Sequence, residues 1–199
     1  MENNAETRDM TPEASLKVIY DMIDSARIKI GNNYFYYLFW GYLVAFTALL
    51  EYALIQLEYA KHYMVWIVLM SLGALITFIF YYRSVKSSPS RTFIGTAMSY
   101  FWGGWAVSFL ILLFFNFMQS SYGLILPVIM ALYGLAQFTA GGIMSFRPLI
   151  LGAIITWICS VVAYFVPYEA QLLILAGSIV ITHVIPGHML KNKSKESLR

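Results

Sequence analysis

Charge is scarce in this 199-residue sequence: Asp, Glu, Lys and Arg make up 12% of the residues, while 60% are hydrophobic. Ordinary soluble domains carry about 25% charged residues and about 45–50% apolar ones. A soluble chain of this length has a large surface, and so few charges do not cover it. The composition therefore excludes a soluble enzyme and a disordered chain, and it predicts an integral membrane protein.

Cysteine is limited to one residue, Cys159. A single cysteine excludes an intrachain disulfide and any cysteine cluster that would hold a metal ion. The first thirty residues contain no long apolar stretch, so no cleavable signal peptide is expected. Common hydrolase, metalloprotease and phosphate-binding motifs are also missing from the sequence. We therefore expect a non-enzymatic protein without a cofactor or metal.

Long apolar runs are abundant, and six of them reach the length of about 20 residues that a membrane-spanning helix needs. The predicted spans are residues 33–57, 63–82, 93–117, 122–144, 149–166 and 170–190. The runs are continuous and lack the alternation of a membrane β-barrel, so helices are expected. The short connections make neighbouring helices antiparallel. The predicted fold is an all-α polytopic membrane bundle of six transmembrane helices, preceded by an N-terminal amphipathic helix.

Lys and Arg residues are distributed unevenly between the two sides of the predicted bundle. With the N-terminus placed in the cytoplasm, Lys61 is the one member of the 13 that falls on the outer side. Cytoplasmic loops of membrane proteins carry such an excess of positive charge. We therefore expect a multi-pass protein of the bacterial inner (cytoplasmic) membrane with both termini in the cytoplasm.

Residues 11–30 predict the amphipathic helix, and residues 1–10 are expected to be disordered. Thr11 suits the N-cap position and Pro12 suits the first helical position. Apolar side chains at helical spacing share one face: Leu16, Ile19, Ile23, Ala26 and Ile30. Two interpretations stay open. Either the helix lies on the inner membrane surface or under the bundle, or this face docks a cytosolic protein or a second copy of the chain.

Basic residues are also concentrated in the tail, residues 191–199, and in the loop of residues 83–92. Each cation near an anionic leaflet contributes about 1 kcal/mol of attraction, so we expect contact with anionic lipids of the inner leaflet. Binding of an acidic cytosolic partner is the alternative. Nucleic acid is not an expected partner, because the cations are scattered and no nucleic-acid-binding motif is present.

Polar residues within the spans are the candidate sites, because polar groups are costly inside a bilayer. At a rise of about 1.5 Å per residue, five spans each place one polar residue at a similar depth in the inner third. These residues are Thr77, Ser99, Gln137, Thr156 and His183. Either they converge on a layer that binds a small polar ligand or relays protons, or each bonds to a neighbouring helix or to its own backbone.

Glu51 is the candidate site nearer the outer side, with Asn116 at a similar depth on the third span. Its carboxylate either reaches the outer headgroups or forms a proton or cation site inside the bundle.

Further along, Pro186 and Gly187 predict a kink in the last span. His183 and His188 are five residues apart and do not share a helix face, so a metal site is not expected.

Three sequence patterns carry a resemblance to known proteins: Pro12-Glu13-x-Ser15-Leu16 with its continuation to Arg27, Phe39-Trp40-Gly41, and Ile185-Pro186-Gly187-x-x-Leu190. The chain resembles, over nearly its whole length, an uncharacterised family of small six-span bacterial inner-membrane proteins. The resemblance implies the fold, and it implies no activity and no functional residues.

Two functions agree with the sequence as a whole. The first is a sensory, regulatory or scaffold component that acts through its cytosolic amphipathic helix. The alternative is a small transporter or channel for a weakly charged or apolar solute, using the polar layer around Gln137 and His183. An intramembrane enzyme or a metal or haem protein is a distant third.

Overall fold

A computed structural model describes residues 34–87, 93–119 and 123–196, together with the isolated residues 12, 16, 17 and 20. Helices make up nearly all of this part of the chain, and it contains no strand. In chain order they are α1 (Tyr34–Gln56), α2 (Met64–Ser87), α3 (Phe93–Gln119), α4 (Ile125–Ile143), α5 (Arg147–Tyr164), α6 (Tyr168–Ile179) and α7 (Ile185–Glu196). A five-residue π-helical segment, Val180–Val184, joins α6 to α7. The predicted all-α fold is confirmed.

Within the described residues, six stretches of helix are long and apolar enough to cross a membrane: Tyr34–Gln56, Met64–Arg83, Gly95–Met118, Ile125–Ile143, Arg147–Tyr164 and Tyr168–Asn192. The last stretch combines α6, the π segment and the beginning of α7. These stretches confirm the prediction of a multi-pass membrane protein with six spans. The predicted amphipathic helix over residues 11–30 lies outside the described residues, apart from four isolated positions.

The first and last spans form the centre of the bundle. α1 packs along α6, the π segment and α7, while α4 and α5 form a tightly packed hairpin beside them. Small residues such as Ala48 and Ala176 let these helices approach closely around Met130 and Leu172, which are fully buried. Four spans thus share one apolar core.

The two remaining spans are peripheral. α2 packs against α1, and α3 packs against α4. Only 6% of the apolar window of α2 and none of that of α3 is buried, against 56% for the last span. α2 also continues to Ser87, beyond the end expected at residue 82. The bundle therefore consists of a four-span core and two outer helices with largely exposed apolar sides.

Two of the helices end in a residue with left-handed backbone. Glu58 follows α1 with a φ of 54°, and Ser145 follows α4 with a φ of 51°. The next backbone N–H then reaches back five residues, from Tyr59 to Leu54 and from Phe146 to Gly141. This hydrogen-bond pattern is the Schellman motif, which satisfies the last carbonyls of a helix.

Candidate functional site

The main candidate site begins with a gap in the backbone hydrogen bonds of the last span. Pro186 has no N–H, so the carbonyl of Thr182, four residues earlier, has no α-helical donor. The preceding turn is wound as a π-helix, in which the Ile185 N–H donates to the Val180 carbonyl, five residues back. The side-chain amide of Gln137 on α4 donates to the Thr182 carbonyl at 3.3 Å. The irregularity expected at Pro186 therefore takes the form of a π segment, and it creates a polar site inside the core.

Four buried polar residues, which we call the Gln137 cluster, meet at this point: Gln137, Thr156, Thr182 and His183. The Thr156 hydroxyl donates to Gln137 Oε1 at 2.9 Å, and Gln137 Nε2 donates to the Thr182 hydroxyl at 3.1 Å. Gln137 Nε2 also lies 2.5 Å from Nδ1 of His183. No member is more than 2% exposed. The cluster thus connects α4, α5 and the π segment through hydrogen bonds that are shielded from water.

Glycines allow two neighbouring helices to enclose the π segment. A Cβ at position 41 of α1 would lie 3.1 Å from the Cβ of His183, and one at position 152 of α5 would lie 3.2 Å from the Cβ of Thr182. Those distances are tighter than ordinary carbon contacts, so larger residues would push the helices apart. The helices around the Gln137 cluster are therefore close-packed.

The structure brings together Gln137, Thr156 and His183, three of the five residues placed in one layer by their depth. Thr77 instead accepts a hydrogen bond from the Trp40 indole at 3.1 Å, between α1 and α2. The exposed Ser99 hydroxyl donates to the Gly95 carbonyl of its own helix at 3.0 Å. Both spans are peripheral, which is why equal depth does not bring their side chains to the core. Ligand binding or proton relay by the remaining three stays a prediction.

Two tyrosines that sequence analysis did not select lie against the His183 ring. The ring centre of Tyr133 on α4 is 4.7 Å from that of His183, and the ring centre of Tyr37 on α1 is 6.2 Å away. The Tyr37 hydroxyl donates to the sulfur of Met144 at 3.5 Å, and Trp105 of α3 packs edge-on against Tyr133. Fifteen tyrosines occur in the chain, so residue type alone did not mark these two.

Glu51 is completely buried near the other end of the core, rather than directed outward. Its carboxylate accepts hydrogen bonds from Nδ1 of His62 at 2.8 Å and from the Tyr168 hydroxyl at 3.1 Å. The Trp66 indole is a third donor to the same carboxylate. One side chain therefore ties α1 to the α1–α2 turn, to α2 and to the start of α6. Asn116 is not among its partners, since α3 packs against α4.

The other predicted positions do not gather into a site. Nε2 of His188 lies 2.9 Å from the Tyr42 hydroxyl rather than beside His183. No group of three His, Cys, Asp or Glu residues suited to a metal ion occurs in the described part of the chain. On the predicted docking face, Leu16 is exposed, while Ile19, Ile23 and Ile30 lie outside the described residues.

Comparisons with known proteins add no assignment. No protein family model matches the chain, and no match was found among curated proteins or among solved structures.

Proposed function

We propose that this chain is a non-enzymatic sensory, regulatory or scaffold protein of the bacterial inner membrane. The observation that supports the proposal is the division of the bundle into a close-packed core and two outer helices. Among the described residues, α2 packs mainly against α1 and α3 mainly against α4, and each leaves most of its apolar surface exposed. Exposed spans of this kind suit association with other membrane helices, which pack through small residues and van der Waals contact.

The cytosolic contribution to this function comes from residues 11–30. Their helical periodicity places Leu16 and Ile23 on one apolar face, and the exposed Leu16 side chain agrees with a face that is open to a partner. An amphipathic helix can lay its apolar face into a hydrophobic groove of a partner protein. We propose that this face recruits a cytosolic protein to the membrane.

The close packing around the Gln137 cluster favours this proposal over the transporter alternative. A transported solute must pass the level of His183, where the backbone of α1 at Gly41 and that of α5 at Gly152 already meet the π segment. The polar atoms of the cluster are largely used by one another. Transport would therefore require α1 or α5 to move away from the last span.

Co-purification in mild detergent tests the proposal. The tagged protein is compared with Ile23→Asp, which places a carboxylate on the apolar face, and with Ser25→Asp, which places the same group on the opposite, polar face. We expect a protein partner, identified by mass spectrometry, to be retained by the parent and by Ser25→Asp and lost from Ile23→Asp. Membrane insertion of all three is checked by fractionation.

Two results would contradict the regulatory proposal. One is the absence of any protein partner above the level of an unrelated six-span control. The other is equal retention by Ile23→Asp and Ser25→Asp. Uptake of a solute by reconstituted vesicles that is abolished by Gln137→Ala would instead support the transporter.

A further inference from the structure

The surroundings of Glu51 suit a carboxylate but give it a single counter-charge. The three side chains that contact its oxygens all donate, and a carboxylate only accepts. Among the described residues, His62 is the basic side chain in ion-pair contact with Glu51, at 2.8 Å. A buried carboxylate that loses its cationic partner destabilises a protein strongly. The charge on His62 therefore decides whether the charge on Glu51 is balanced.

His62 connects this buried carboxylate with the solvent. The side chain of Glu51 is 0% exposed, whereas that of His62, in the turn between α1 and α2, is 32% exposed. Nδ1 of His62 donates to Glu51, and its Nε2 has no hydrogen-bond partner within the described residues. A proton from the solvent therefore binds at Nε2 while Nδ1 keeps its hydrogen bond. Histidine takes up such a proton between about pH 5 and pH 8.

The other ionisable side chains around the pair are carboxyl, phenol and ammonium groups. On α1, on the turn and at the start of α6 they are Tyr52, Glu58, Tyr59, Lys61, Tyr63, Tyr168 and Glu169. Groups of these three kinds ordinarily change charge outside the range in which histidine does. A response to pH within that range is therefore assigned to His62.

The contact that responds is the attachment of α2 to the core. α2 packs mainly against α1, and its apolar window is 6% buried. Near the middle of α2, Gly73 packs so closely on Leu43 that an added Cβ would overlap the leucine side chain. At the other end, His62 and Trp66 both bind Glu51. The half of α2 before Gly73 is thus held by the glycine contact on one side and by Glu51 on the other.

We propose that the Glu51–His62 pair is a pH-sensitive switch that holds this half of α2 against the core. With His62 protonated, both partners of the hydrogen bond are charged, and the bond is strong. As the pH rises and His62 becomes neutral, the buried carboxylate loses its counter-charge and α2 separates from the core more often. Acidity on the side predicted to be outer thereby controls how an outer helix is held. The switch rests on these contacts alone and goes beyond the protein-partner function above.

Hydrogen–deuterium exchange of the full chain in detergent, followed by mass spectrometry, tests the switch. Protection against exchange, corrected for the intrinsic effect of pH on the exchange rate, reports how often a segment opens. Protection of residues 62–72 should be about tenfold lower at about pH 8 than at about pH 5.5, near the two ends of the histidine range. That factor corresponds to about 1.4 kcal/mol in the free energy of opening. Protection of α4 and α5 should not change.

Three variants isolate the histidine. His62→Gln keeps a side-chain donor but cannot take up a proton, so protection of residues 62–72 should be equal at the two pH values. His62→Lys keeps a positive charge at both, so this segment should stay protected at both. His188→Gln changes the histidine that pairs with Tyr42 near the other end of the bundle, and it should behave like the parent. Unfolding midpoints verify that each variant is folded; if His62→Lys does not fold, His62→Gln carries the test.

Three results would overturn the switch. One is equal protection of the parent at both pH values. Another is a pH effect of unchanged size in His62→Gln, which would assign the effect to a different group. The third is lower protection of the parent at about pH 5.5 than at about pH 8, because acid would then release α2. Partner retention by Ile23→Asp is measured separately, so neither test decides the other.

Discussion

The hydrogen bond from Gln137 to the Thr182 carbonyl leads to a quantitative prediction. Gln137→Leu keeps the approximate size of the side chain and removes its interhelical hydrogen bonds to the Thr182 carbonyl and hydroxyl, to the Thr156 hydroxyl and to His183. Hydrogen bonds between membrane helices average about 0.6 kcal/mol each. We therefore expect the free energy of unfolding to fall by about 2 kcal/mol.

The cause of that loss is tested in a second background. Pro186→Ala restores a backbone N–H four residues after Thr182, which gives the Thr182 carbonyl a donor within its own helix. In the Pro186→Ala protein, Gln137→Leu should then cost about 1 kcal/mol less than in the parent, because one buried carbonyl no longer depends on the amide. A double-mutant cycle reports this difference directly.

The assay is unfolding in mixed micelles by increasing amounts of sodium dodecyl sulfate, followed by tryptophan fluorescence. Thr139→Val is the matched control on α4, because its hydroxyl donates to the Leu135 carbonyl of the same helix. It should change stability by less than about 0.5 kcal/mol. Equal costs of Gln137→Leu with and without Pro186 would refute the idea that the proline creates the need for Gln137.

Three further predictions use the same assay. Glu51→Gln should lower the free energy of unfolding by about 2 kcal/mol, because it weakens three hydrogen bonds to a buried carboxylate. The control Glu169→Gln changes an exposed residue and should have little effect; a larger loss from Glu169→Gln would contradict the prediction. Ser145→Gly should raise the free energy of unfolding by about 1 kcal/mol, because glycine adopts positive φ without strain. A decrease would show that contacts of the serine side chain outweigh the backbone strain. Gly41→Val should lower the unfolding midpoint, because the added side chain would clash with His183. Gly103→Val should be tolerated, because a Cβ at position 103 has no other atom within 4 Å. Equal effects of the two substitutions would contradict the packing argument.

Hydropathy was sufficient for the fold class, because a span of about 20 apolar residues is a length set by the bilayer. It carried no information on which spans are neighbours. All six spans are similarly apolar, with mean hydropathy between 1.5 and 2.2, yet their buried shares range from 0 to 56%. Burial inside a membrane bundle depends on small residues and polar contacts rather than on hydrophobicity, since lipid is as apolar as the core.

The sequence also does not show how the spans are arranged, and for this reason the predicted polar layer was only partly correct. Depth along the span placed Gln137, Thr156 and His183 at one level, and the structure brings those three together. Depth did not reveal rotation about the helix axis or the position of a span in the bundle, so Thr77 and Ser99 were grouped with them. Thr182 was missed, although Pro186 four residues later marks its carbonyl as needing an outside donor.

Pairing of the first span with the last has a consequence for synthesis. α1 leaves the ribosome long before α6, yet its principal packing surface is α6, the π segment and α7. Until residues 168–192 enter the membrane, Glu51 lacks Tyr168 and Gly41 lacks its neighbour His183. The core therefore closes only after the last of the six spans has entered the membrane, and chains truncated before α6 should be held open and become substrates for membrane proteases.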